Sequence, residues 1–193
     1  MMINLRGTHG SGKTTAVRKI LERYDSKEIL VREKKKEKVH GYEVDIPWLS
    51  KSLFIVGSYK NICGGCDSIQ PYSLIWPRIV SYVKDGDHCL FEGALVSSSY
   101  GSIGRASEEY GDDFVFAFMD TPIEKCIERI KERRKGTSRE GKPFKEDIVR
   151  TKFKYIANTI EKVKEFKRRY VIIDHKRAVP QLLGLLRKEE DAS

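Results

Sequence analysis

Short apolar runs alternate with longer amphipathic stretches along most of the chain, and this pattern predicts strands and helices in turn. The predicted strands are Ile3 to Arg6, Ile29 to Arg32, His88 to Phe91, Phe114 to Met119 and Tyr170 to Ile173. The predicted helices are Lys13 to Tyr24, Pro71 to Lys84 with a kink at Pro77, Pro122 to Arg134 with Thr121 as N-cap, Glu146 to Arg168 and Val179 to Arg187. The alternation predicts an α/β fold, with a parallel sheet of about five strands and helices on both faces.

Two segments depart from this alternation. Residues 38–70 are expected to form an insertion with a small hairpin, because Tyr42 to Ile46 alternates in polarity and Leu53 to Val56 is apolar. Lys135 to Lys145 is polar, contains two glycines and a proline, and is expected to form a mobile loop. No repeat or long linker divides the chain, so residues 1–193 are expected to form a single domain.

The chain has 193 residues and a net charge of +9, with 37 Lys and Arg against 28 Asp and Glu. The basic residues concentrate at Arg32 to Lys38 and between Arg129 and Arg169. This is compatible with a polyanionic partner such as nucleic acid, or with a basic surface that serves only solubility. No apolar run reaches the length of a membrane span, and Met1 to Arg6 lacks the features of a signal peptide. We therefore expect a cytoplasmic protein with reduced cysteines and no membrane partner.

The segment from Gly7 to Thr14 matches the pattern G-x-x-x-x-G-K-[ST] and lies between the first predicted strand and the first predicted helix. In this context the glycines let backbone N–H groups turn toward phosphate oxygens, and the helix adds the positive end of its dipole. Lys13 is expected to bridge the β- and γ-phosphates and Thr14 to ligate Mg²⁺, while His9 fills a variable position rather than acting as a base. The candidate nucleotide-binding residues here are Gly7, Thr8, His9, Gly10, Ser11, Gly12, Lys13, Thr14 and, next to them, Thr15.

Two acidic residues end predicted strands. Glu92 follows the strand His88 to Phe91, and the carboxyl ends of strands face the ligand crevice of an α/β sheet. A carboxylate there can hold Mg²⁺ through a water molecule or accept the proton of a substrate hydroxyl; the alternative is an ordinary surface residue at a strand end. Asp120 also ends a strand, but it lies beside a helix start and is expected to have a structural role.

The segment Cys63-Gly64-Gly65-Cys66-Asp67 combines a C-x-x-C pattern with a glycine pair. A zinc site would need two further ligands, and the sequence has neither a second C-x-x-C nor an H-x-x-x-H pattern, which disfavours a metal role. The glycine pair permits close approach to a ligand. Asp67 is then either a base that contacts the acceptor substrate or the cap of a helix, and both interpretations stay open.

Arginines surround the predicted mobile loop. Arg129 and Arg133 are four residues apart and share a helix face, while Arg134 and Arg139 flank the loop. Phosphoryl transfer requires positive charge around the transferred group, and a lid of arginines would supply it while excluding water. Arg129 and Arg133 are therefore candidate catalytic residues, Arg139 is a candidate nucleotide-binding residue, and Arg150 on the next helix could join them. The alternative is a solvated, basic helix end.

The P-loop, the strand-end acid, the arginines before a glycine-containing loop and the late strand end Ile172-Ile173-Asp174 together resemble the nucleoside monophosphate kinases. The resemblance implies a P-loop kinase fold with an Arg-rich lid at about residues 135–145. It also implies that Arg129 and Arg133 clamp phosphates and that the stretch from Asp174 to Ala178 packs on adenine.

A narrower resemblance is to phage kinases of DNA hypermodification, which phosphorylate 5-hydroxymethyl-deoxyuridine already built into DNA. It is carried by the segments Ile3 to Thr8, Tyr59 with Gly64 to Ile69, and Leu90 to Gly93. It implies ATP and Mg²⁺ as cofactors, DNA with a modified pyrimidine as partner, and a phage protein in the host cytoplasm. The Asp-Arg-Tyr-type signature of thymidylate kinases is absent at Glu92-Gly93.

Two other functions remain compatible with these residues. One is a kinase of a nucleoside monophosphate or another small hydroxyl compound, and the other is a P-loop NTPase that acts on nucleic acid without phosphorylating it. An Arg-rich lid favours transfer over hydrolysis, because a hydroxyl acceptor must outcompete water. The sequence carries no signal for an oligomeric state, and it leaves open whether Glu92 or Asp67 is the base.

Overall fold

The computed structural model describes residues 1–33, 36–61, 64–84, 87–98, 100–138 and 140–191. Across these ranges the strands are β1 (Met2–Arg6), β2 (Ser26–Glu33), β3 (Lys36–Val44), β4 (Leu53–Val56), β5 (His88–Glu92), β6 (Phe114–Met119) and β7 (Tyr170–Ile173). The helices are α1 (Lys13–Arg23), α2 (Ile75–Val83), α3 (Ala94–Ser98), α4 (Gly101–Tyr110), α5 (Ile123–Arg134), α6 (Glu146–Glu165) and α7 (Ala178–Glu190). Short 3-10 turns occupy Cys66–Ser68, Tyr72–Leu74 and Gly111–Asp113. None of the described helices is long and apolar enough to cross a bilayer.

Within the described residues, seven strands form one sheet in the order β2-β3-β4-β5-β1-β6-β7. The strands β4, β5, β1, β6 and β7 run parallel, whereas β2 and β3 form an antiparallel hairpin attached to β4 at the edge. Helices pack on both faces of this sheet. The predicted α/β fold with a parallel core is therefore confirmed, and the hairpin extends the sheet beyond the five strands expected.

The hairpin begins earlier in the chain than the predicted insertion at residues 38–70. Its first arm is β2, which we expected to be a separate strand, and its second arm is β3. In turn β4, expected inside the insertion, pairs in parallel with β5 and belongs to the central sheet. Alternation of polarity identifies strands but carries no information on which strands pair, so these partners could not be predicted.

β6 shows how the sheet separates two apolar cores. Phe114, Phe116 and Phe118 point to the face covered by α2, α3, α4 and α6. Val115 and Ala117 point to the opposite face, which is covered by α1 and α7. Successive residues of a strand face opposite sides, so a strand buried on both faces is apolar throughout.

The helices also differ in detail from the sequence predictions. α2 begins at Ile75 rather than Pro71, so Pro77 lies in its first turn, where a missing N–H interrupts no helical bond and no kink is required. α4 was not predicted, because Gly101 and Gly104 lower the helix propensity of its sequence. α6 ends at Glu165, before the predicted end at Arg168, and α7 extends one residue earlier and three later than expected.

The fold brings three loops to one edge of the sheet. β1 lies at the centre, between β5 and β6, and leads through residues 7–12 into α1. Because parallel strands place their carboxyl ends at the same edge, Glu92 at the end of β5 and Asp120 after β6 flank this loop. This edge is where a ligand crevice is expected in an open α/β sheet.

Candidate active site

The P-loop, residues 7–14, is shaped by two glycines with positive φ. Gly10 has a φ of 79°, and a Cβ there would lie 2.3 Å from the carbonyl oxygen of Cys126, so α5 packs directly on the loop. Gly12 has a φ of 97° and is the N-cap of α1. Such left-handed residues turn successive N–H groups toward one side, next to the positive end of the helix. The loop therefore has the shape of an anion-binding cradle.

Lys13, the first residue of α1, is buried against the loop. Its ammonium donates hydrogen bonds to the carbonyl oxygens of Gly7 at 2.7 Å and Thr8 at 3.3 Å. Burial lowers the pKa of Lys13, and the neighbouring carboxylates of Glu92 and Asp67 oppose that shift. The lysine thus faces two acids across the P-loop.

Glu92 is buried at the end of β5 and faces α1. Thr14 donates its hydroxyl hydrogen to Oε1 of Glu92 at 2.9 Å. The buried Tyr59 hydroxyl lies beside the same carboxylate without a hydrogen bond of standard geometry. Burial raises the pKa of Glu92, although Lys13 favours the charged form. The strand-end acid predicted from the sequence is therefore next to the predicted P-loop hydroxyl.

Asp67 lies in the 3-10 turn that follows the glycine pair. Its Oδ2 accepts a hydrogen bond from the backbone N–H of Ala94, at the start of α3, at 2.7 Å. Gly65 has a φ of 76°, and a Cβ there would lie 2.4 Å from the carbonyl oxygen of Glu92, so the turn packs directly on the end of β5. Asp67 therefore makes the capping contact that one sequence interpretation expects. It also lies at the cavity, as the interpretation as a base requires.

Only one cysteine of the C-x-x-C pattern belongs to the described residues, so the pattern itself is not tested. Cys63 lies outside the described residues, and Cys66 is buried in an apolar cluster, where burial raises the pKa of its thiol. The grouping of potential metal-ligating side chains that occurs in the described ranges is Asp120, Asp174 and His175. Cys66 has the surroundings of a core residue.

A cavity of about 590 Å³ opens above the P-loop. Most predicted site residues line it: His9, Gly10, Ser11, Gly12, Lys13, Thr14, Thr15, Asp67, Glu92, Arg129 and Arg133. Its far wall is made by His175, Lys176, Ala178, Val179 and Pro180. Gly7 and Thr8 are buried below the cavity and do not line it.

Arg129 supports the P-loop as well as lining the cavity. Its Nη1 lies 3.3 Å from the carbonyl oxygens of both Gly10 and Ser11. Arg133, one helical turn later, lines the cavity at its exposed side. The two arginines therefore share a helix face, as predicted, but Arg129 contacts the P-loop backbone whereas Arg133 lies at the exposed side of the cavity.

Arg134 faces the loop that follows α5 rather than the cavity. It donates a hydrogen bond to the carbonyl oxygen of Lys142 at 2.8 Å, and its guanidinium lies 5.5 Å from the ring centre of Phe144. Arg139, the predicted nucleotide-binding residue of this loop, lies outside the described residues. Arg134 thus holds the two ends of the loop together.

Arg150 does not join the site, contrary to the sequence expectation. On the exposed side of α6 its guanidinium pairs with Glu124 at 2.8 Å and with Glu146 at 3.5 Å. Arg150 is one residue from Val149, which is buried on the face of α6 that meets the P-loop. Successive helix residues are rotated by about 100°, so Arg150 points away from that face.

The end of β6 is tied to the loop after β7. Oδ1 of Asp120 accepts a hydrogen bond from the His175 backbone N–H at 2.8 Å and lies 3.0 Å from its ring Nδ1. His175 and the residues after it form the far wall of the cavity. Asp120 therefore has the structural contact expected of it.

Two contacts of the P-loop were not anticipated from the sequence. Thr121 is not the N-cap of α5, a position taken by Pro122; its hydroxyl donates to the Ser11 carbonyl oxygen at 2.7 Å. Lys152 of α6 places its ammonium 2.8 Å from Nε2 of His9. Local capping rules could not find the first contact, since its partner is 110 residues distant.

The residues present fit a nucleoside triphosphate with a divalent cation. The buried Ser11 hydroxyl has no hydrogen-bond partner among the described residues, and it belongs to a loop whose backbone has the geometry of a phosphate cradle. The hydroxyl of Thr14 and the carboxylate of Glu92 are oxygen donors of the kind that Mg²⁺ prefers. Lys13 supplies a cation at the same place.

Two curated relatives are similar to nearly the whole chain, and no family profile matches it. A "5-hmdU DNA kinase" of Pseudomonas phage PaMx11 is 30% identical over 167 residues, covering 84% of each chain. A "5-hmdU DNA kinase" of Pseudomonas phage M6 is 31% identical over 167 residues, covering 83% of each chain.

Among solved structures, two of deoxyadenosine kinase from M. mycoides show a low similarity. The complex with dATP has a TM-score of 0.48 at 13% identity and covers 97% of this chain and 100% of that one. The complex with dCMP and dCDP has a TM-score of 0.46 at 13% identity, with both chains fully covered. Family membership rests on the two sequence relatives, through their identity and their coverage of both chains: the chain belongs to the family of phage 5-hmdU DNA kinases.

Proposed function

We propose that this protein transfers the γ-phosphoryl group of ATP to the 5-hydroxymethyl group of a modified deoxyuridine in DNA. The observation that carries the proposal is the meeting of Lys13 with Glu92 and Asp67 in one cavity above a P-loop. A phosphate cradle alone would suit any nucleotide-binding protein. Carboxylates facing it supply what transfer to a hydroxyl needs, which is a cation site and a proton acceptor.

ATP is proposed as donor, with its triphosphate on the P-loop and its base toward the far wall of the cavity. The wall residues Ala178, Val179 and Pro180 offer apolar surface for a purine face. The hydrogen bonds between Asp120 and His175 would hold this wall in place before ATP binds. Arg129 and Arg133 then lie on the side where the terminal phosphates emerge from the loop.

Thr14 and Glu92 are proposed to hold Mg²⁺, Thr14 directly and Glu92 through water. Their hydrogen bond of 2.9 Å places the two oxygens within reach of one small cation. A divalent cation held by these two residues would supply positive charge to the phosphates of the nucleotide. Lys13 shares this task, since its ammonium faces the same carboxylate.

Asp67 is proposed as the base that receives the acceptor proton. Glu92 is engaged by Thr14 on the metal side, whereas Asp67 is held by the Ala94 N–H at the start of α3, away from α1. That backbone contact fixes the carboxylate in one orientation at the cavity wall. A fixed carboxylate can accept a proton without reorganising.

The proposed reaction is a displacement at the γ-phosphorus of ATP. The hydroxymethyl oxygen attacks the γ-phosphorus, a new oxygen–phosphorus bond forms, and the bond from phosphorus to the β–γ bridging oxygen breaks. The electron pair of the broken bond leaves with ADP, and the hydroxyl proton passes to Asp67. Arg133 and Lys13 balance the charge on the transferred group while it moves.

DNA as acceptor is supported by the relatives' names and by the net charge of +9. A polymer needs contacts to its phosphates outside the catalytic cavity, and Lys and Arg supply them. A hydroxymethyl group on a stacked base is difficult to align with the γ-phosphate. We therefore expect a single-stranded substrate or a base extruded from the duplex. Acting on phage DNA, the enzyme would work in the host cytoplasm.

The test measures transfer of label from γ-labelled ATP to oligonucleotides that contain 5-hydroxymethyl-uracil, across a salt series. Matched oligonucleotides with thymine are the control, because thymine has no hydroxyl to accept the phosphate. We expect labelling of the modified DNA alone, with a steep fall as salt rises, since bound phosphates release counterions. Preferential labelling of free 5-hydroxymethyl-deoxyuridine monophosphate, with no labelled DNA at low salt, would replace the proposal by a mononucleotide kinase.

A further inference from the structure

α6 approaches the P-loop at two successive loop positions. Thr8 donates its hydroxyl hydrogen to the carbonyl oxygen of Val149 at 3.4 Å. One residue later, Nε2 of His9 lies 2.8 Å from the ammonium of Lys152. Val149 and Lys152 are three apart and therefore occupy the same side of the helix, as does the buried Ile156 four residues on. Lys152 thus projects from the inner face of α6 toward the site.

The imidazole of His9 is the acceptor in this contact. Burial, with the positive charges of Lys152 and Lys13, lowers the pKa of His9 to about 4, so the ring is neutral at pH 7. A neutral imidazole can accept a hydrogen bond from an ammonium but cannot cancel its charge. The positive charge of Lys152 is consequently still available to an anion.

The cations around Lys152 differ from it in this respect. Lys131 pairs with Glu146, and Arg150 pairs with both Glu146 and Glu124. Within the described ranges, no carboxylate forms an ion pair with Lys152. A half-buried ammonium without an ion pair can bind an anion without first breaking a salt bridge.

The surroundings of His9 indicate which anion that would be. His9 lines the cavity, and the charged groups that act on it besides Lys152 are Lys13, Asp67 and Arg133. These are the proposed γ-phosphate ligand, the proposed base and the lid arginine. All three line the cavity with His9, and Lys152 does not itself line it but lies one hydrogen bond from His9.

We infer that Lys152 is a further catalytic residue, whose ammonium contacts the phosphoryl group in flight, and that His9 is the residue that positions it. The inference rests on the proposed phosphoryl transfer. It adds no bond-making step, since the ammonium keeps its protons throughout. Lys152 keeps its hydrogen bond to His9 and directs its other N–H groups at the equatorial oxygens of the phosphoryl group as negative charge gathers there.

The first experiment compares Lys152→Met with Lys154→Met, a change two residues away at an exposed position of the same helix. With ATP and the 5-hydroxymethyl-uracil oligonucleotide, Lys152→Met should lower kcat about 100-fold, with little change in KM for ATP. Lys152→Arg should recover part of the loss, and Lys154→Met should match the wild type. Equal kcat for Lys152→Met and wild type, in a protein with an unchanged melting temperature, would overturn the inference.

A second experiment keeps the inference testable whatever the acceptor proves to be. Binding of Mg²⁺, ADP and aluminium fluoride imitates the phosphoryl group in flight, and it needs no acceptor. Lys152→Met should weaken this complex at least about tenfold while leaving ADP affinity unchanged, because the contact exists only around the transferred group. Equal losses for ADP alone and for ADP with aluminium fluoride would refute a contact to that group. Failure to label DNA with intact aluminium fluoride binding would instead reject only the proposed acceptor.

The positioning role of His9 is tested by a double-mutant cycle. His9→Ala should lower kcat roughly tenfold, and adding it to Lys152→Met should cause no further loss, because both changes remove one interaction. His9→Gln should restore part of the rate, since its amide oxygen can accept the same hydrogen bond. Additive losses in the double variant, or no recovery with glutamine, would contradict the positioning role.

Discussion

Glycines in two regions of the site have different surroundings. In the floor of the cavity, which is formed by the P-loop (residues 7–14), the turn at 64–67 and Glu92, Gly10 and Gly65 lie where a Cβ would collide with the backbone. In the lid loop, residues 135–145, Gly136 and Gly141 have open space around them among the described residues. A Cβ at Gly10 or Gly65 would come within 2.4 Å of a backbone oxygen. Gly136 and Gly141 of the lid loop also have positive φ, but no atom of the described residues lies within 4 Å of a Cβ built on either. The floor needs glycine because elements crowd together there; the lid needs it only because of the local backbone conformation.

The polar side chains of the floor are also more buried than those of the lid. In the floor, Lys13, Glu92 and Thr14 are buried or half-buried and contact one another or the loop. In the lid, Arg133 is exposed, Arg134 donates to the Lys142 carbonyl oxygen, and the Gly136 N–H donates to the side chain of Glu140. A preorganised floor stabilises charge without rearrangement. We propose that the loop after α5 acts as a lid that opens and closes at small cost. Changes to the charged groups of the floor should therefore affect turnover most, changes to its crowded glycines should affect stability most, and changes in the lid should affect both less.

The largest effect is expected for Lys13→Ala. Removing the buried ammonium should lower kcat about 1,000-fold, because its charge acts on the transferred group in a site shielded from water. The melting temperature and the circular dichroism spectrum should stay close to wild type, and Lys27→Ala at an exposed position of β2 is the control. Near-normal turnover in folded Lys13→Ala protein would show that the floor does not act on the reaction.

Glu92→Gln should lower kcat about 500-fold and shift the dependence on Mg²⁺ concentration, because the amide has no charge to orient the metal. The same substitution should, however, increase the free energy of unfolding near neutral pH. The raised pKa of Glu92 means that the folded protein binds the proton more tightly than the unfolded one, so stability falls as pH rises above about 4.5. The variant lacks this loss.

Thermal melts from pH 4 to pH 8 check the stability effect of Glu92→Gln. The advantage of the variant over wild type should be absent at pH 4 and grow toward neutral pH. Glu22→Gln at an exposed position of α1 should show no such trend. A variant that is less stable than wild type at pH 8 would mean that the charged carboxylate stabilises the floor.

Gly65→Ala and Gly136→Ala compare the two regions directly. Both glycines have positive φ, at 76° and 68°, a conformation that costs an alanine about 1 kcal/mol or more, and the ψ of −152° at Gly65 adds to this strain because that region is essentially restricted to glycine. Only Gly65→Ala also forces a collision with the end of β5, and we expect a total loss of about 3 kcal/mol in the free energy of unfolding. Urea unfolding of the two variants measures the difference, and equal losses would remove the distinction between floor and lid.

Asp67→Asn should lower kcat about 100-fold at saturating ATP, because an amide cannot accept the acceptor proton. The hydrogen bond from Ala94 can still be made to the amide oxygen, so the melting temperature should change little. A lowered melting temperature with an unchanged rate would assign Asp67 to capping α3 alone.

Arg133→Ala should lower kcat roughly 30-fold, less than the changes in the floor, because water screens part of the charge of an exposed guanidinium. ATP affinity should change little, since the lid meets the γ-phosphate mainly when closed. Arg134→Ala is the matched neighbour and should have a smaller effect. A change confined to ATP affinity would assign Arg133 to ground-state binding.

The floor was largely predictable from the sequence because its key residues are close to local landmarks. The P-loop is a continuous motif between a strand and a helix, and Glu92 ends an apolar strand. Their meeting follows from a general property of parallel sheets, whose strand ends share one edge. The fold class followed from the same alternation of strands and helices.

Contacts between distant segments were not predictable by these means. Thr121 had the spacing of a helix cap, yet it contacts Ser11. Arg150 had the charge expected of a lid residue, but Lys152 lies on the inner side of α6. The spacing of Lys152 from Val149 and Ile156 carried a usable signal, because those apolar residues mark the buried helix face. Charge alone does not identify the face on which a residue lies.

The central claim, phosphoryl transfer to a base in DNA, is tested most directly by locating the phosphate. An oligonucleotide with one 5-hydroxymethyl-uracil is incubated with the enzyme, ATP and Mg²⁺. It is then digested without phosphatase, so that a phosphate on the base is retained, and the products are analysed by mass spectrometry. We predict that one phosphoryl group is added to the hydroxymethyl-deoxyuridine, and that Lys13→Ala protein adds none. A phosphate found on the 5′-hydroxyl end of the strand, or ADP formed with no modified base, would contradict the account.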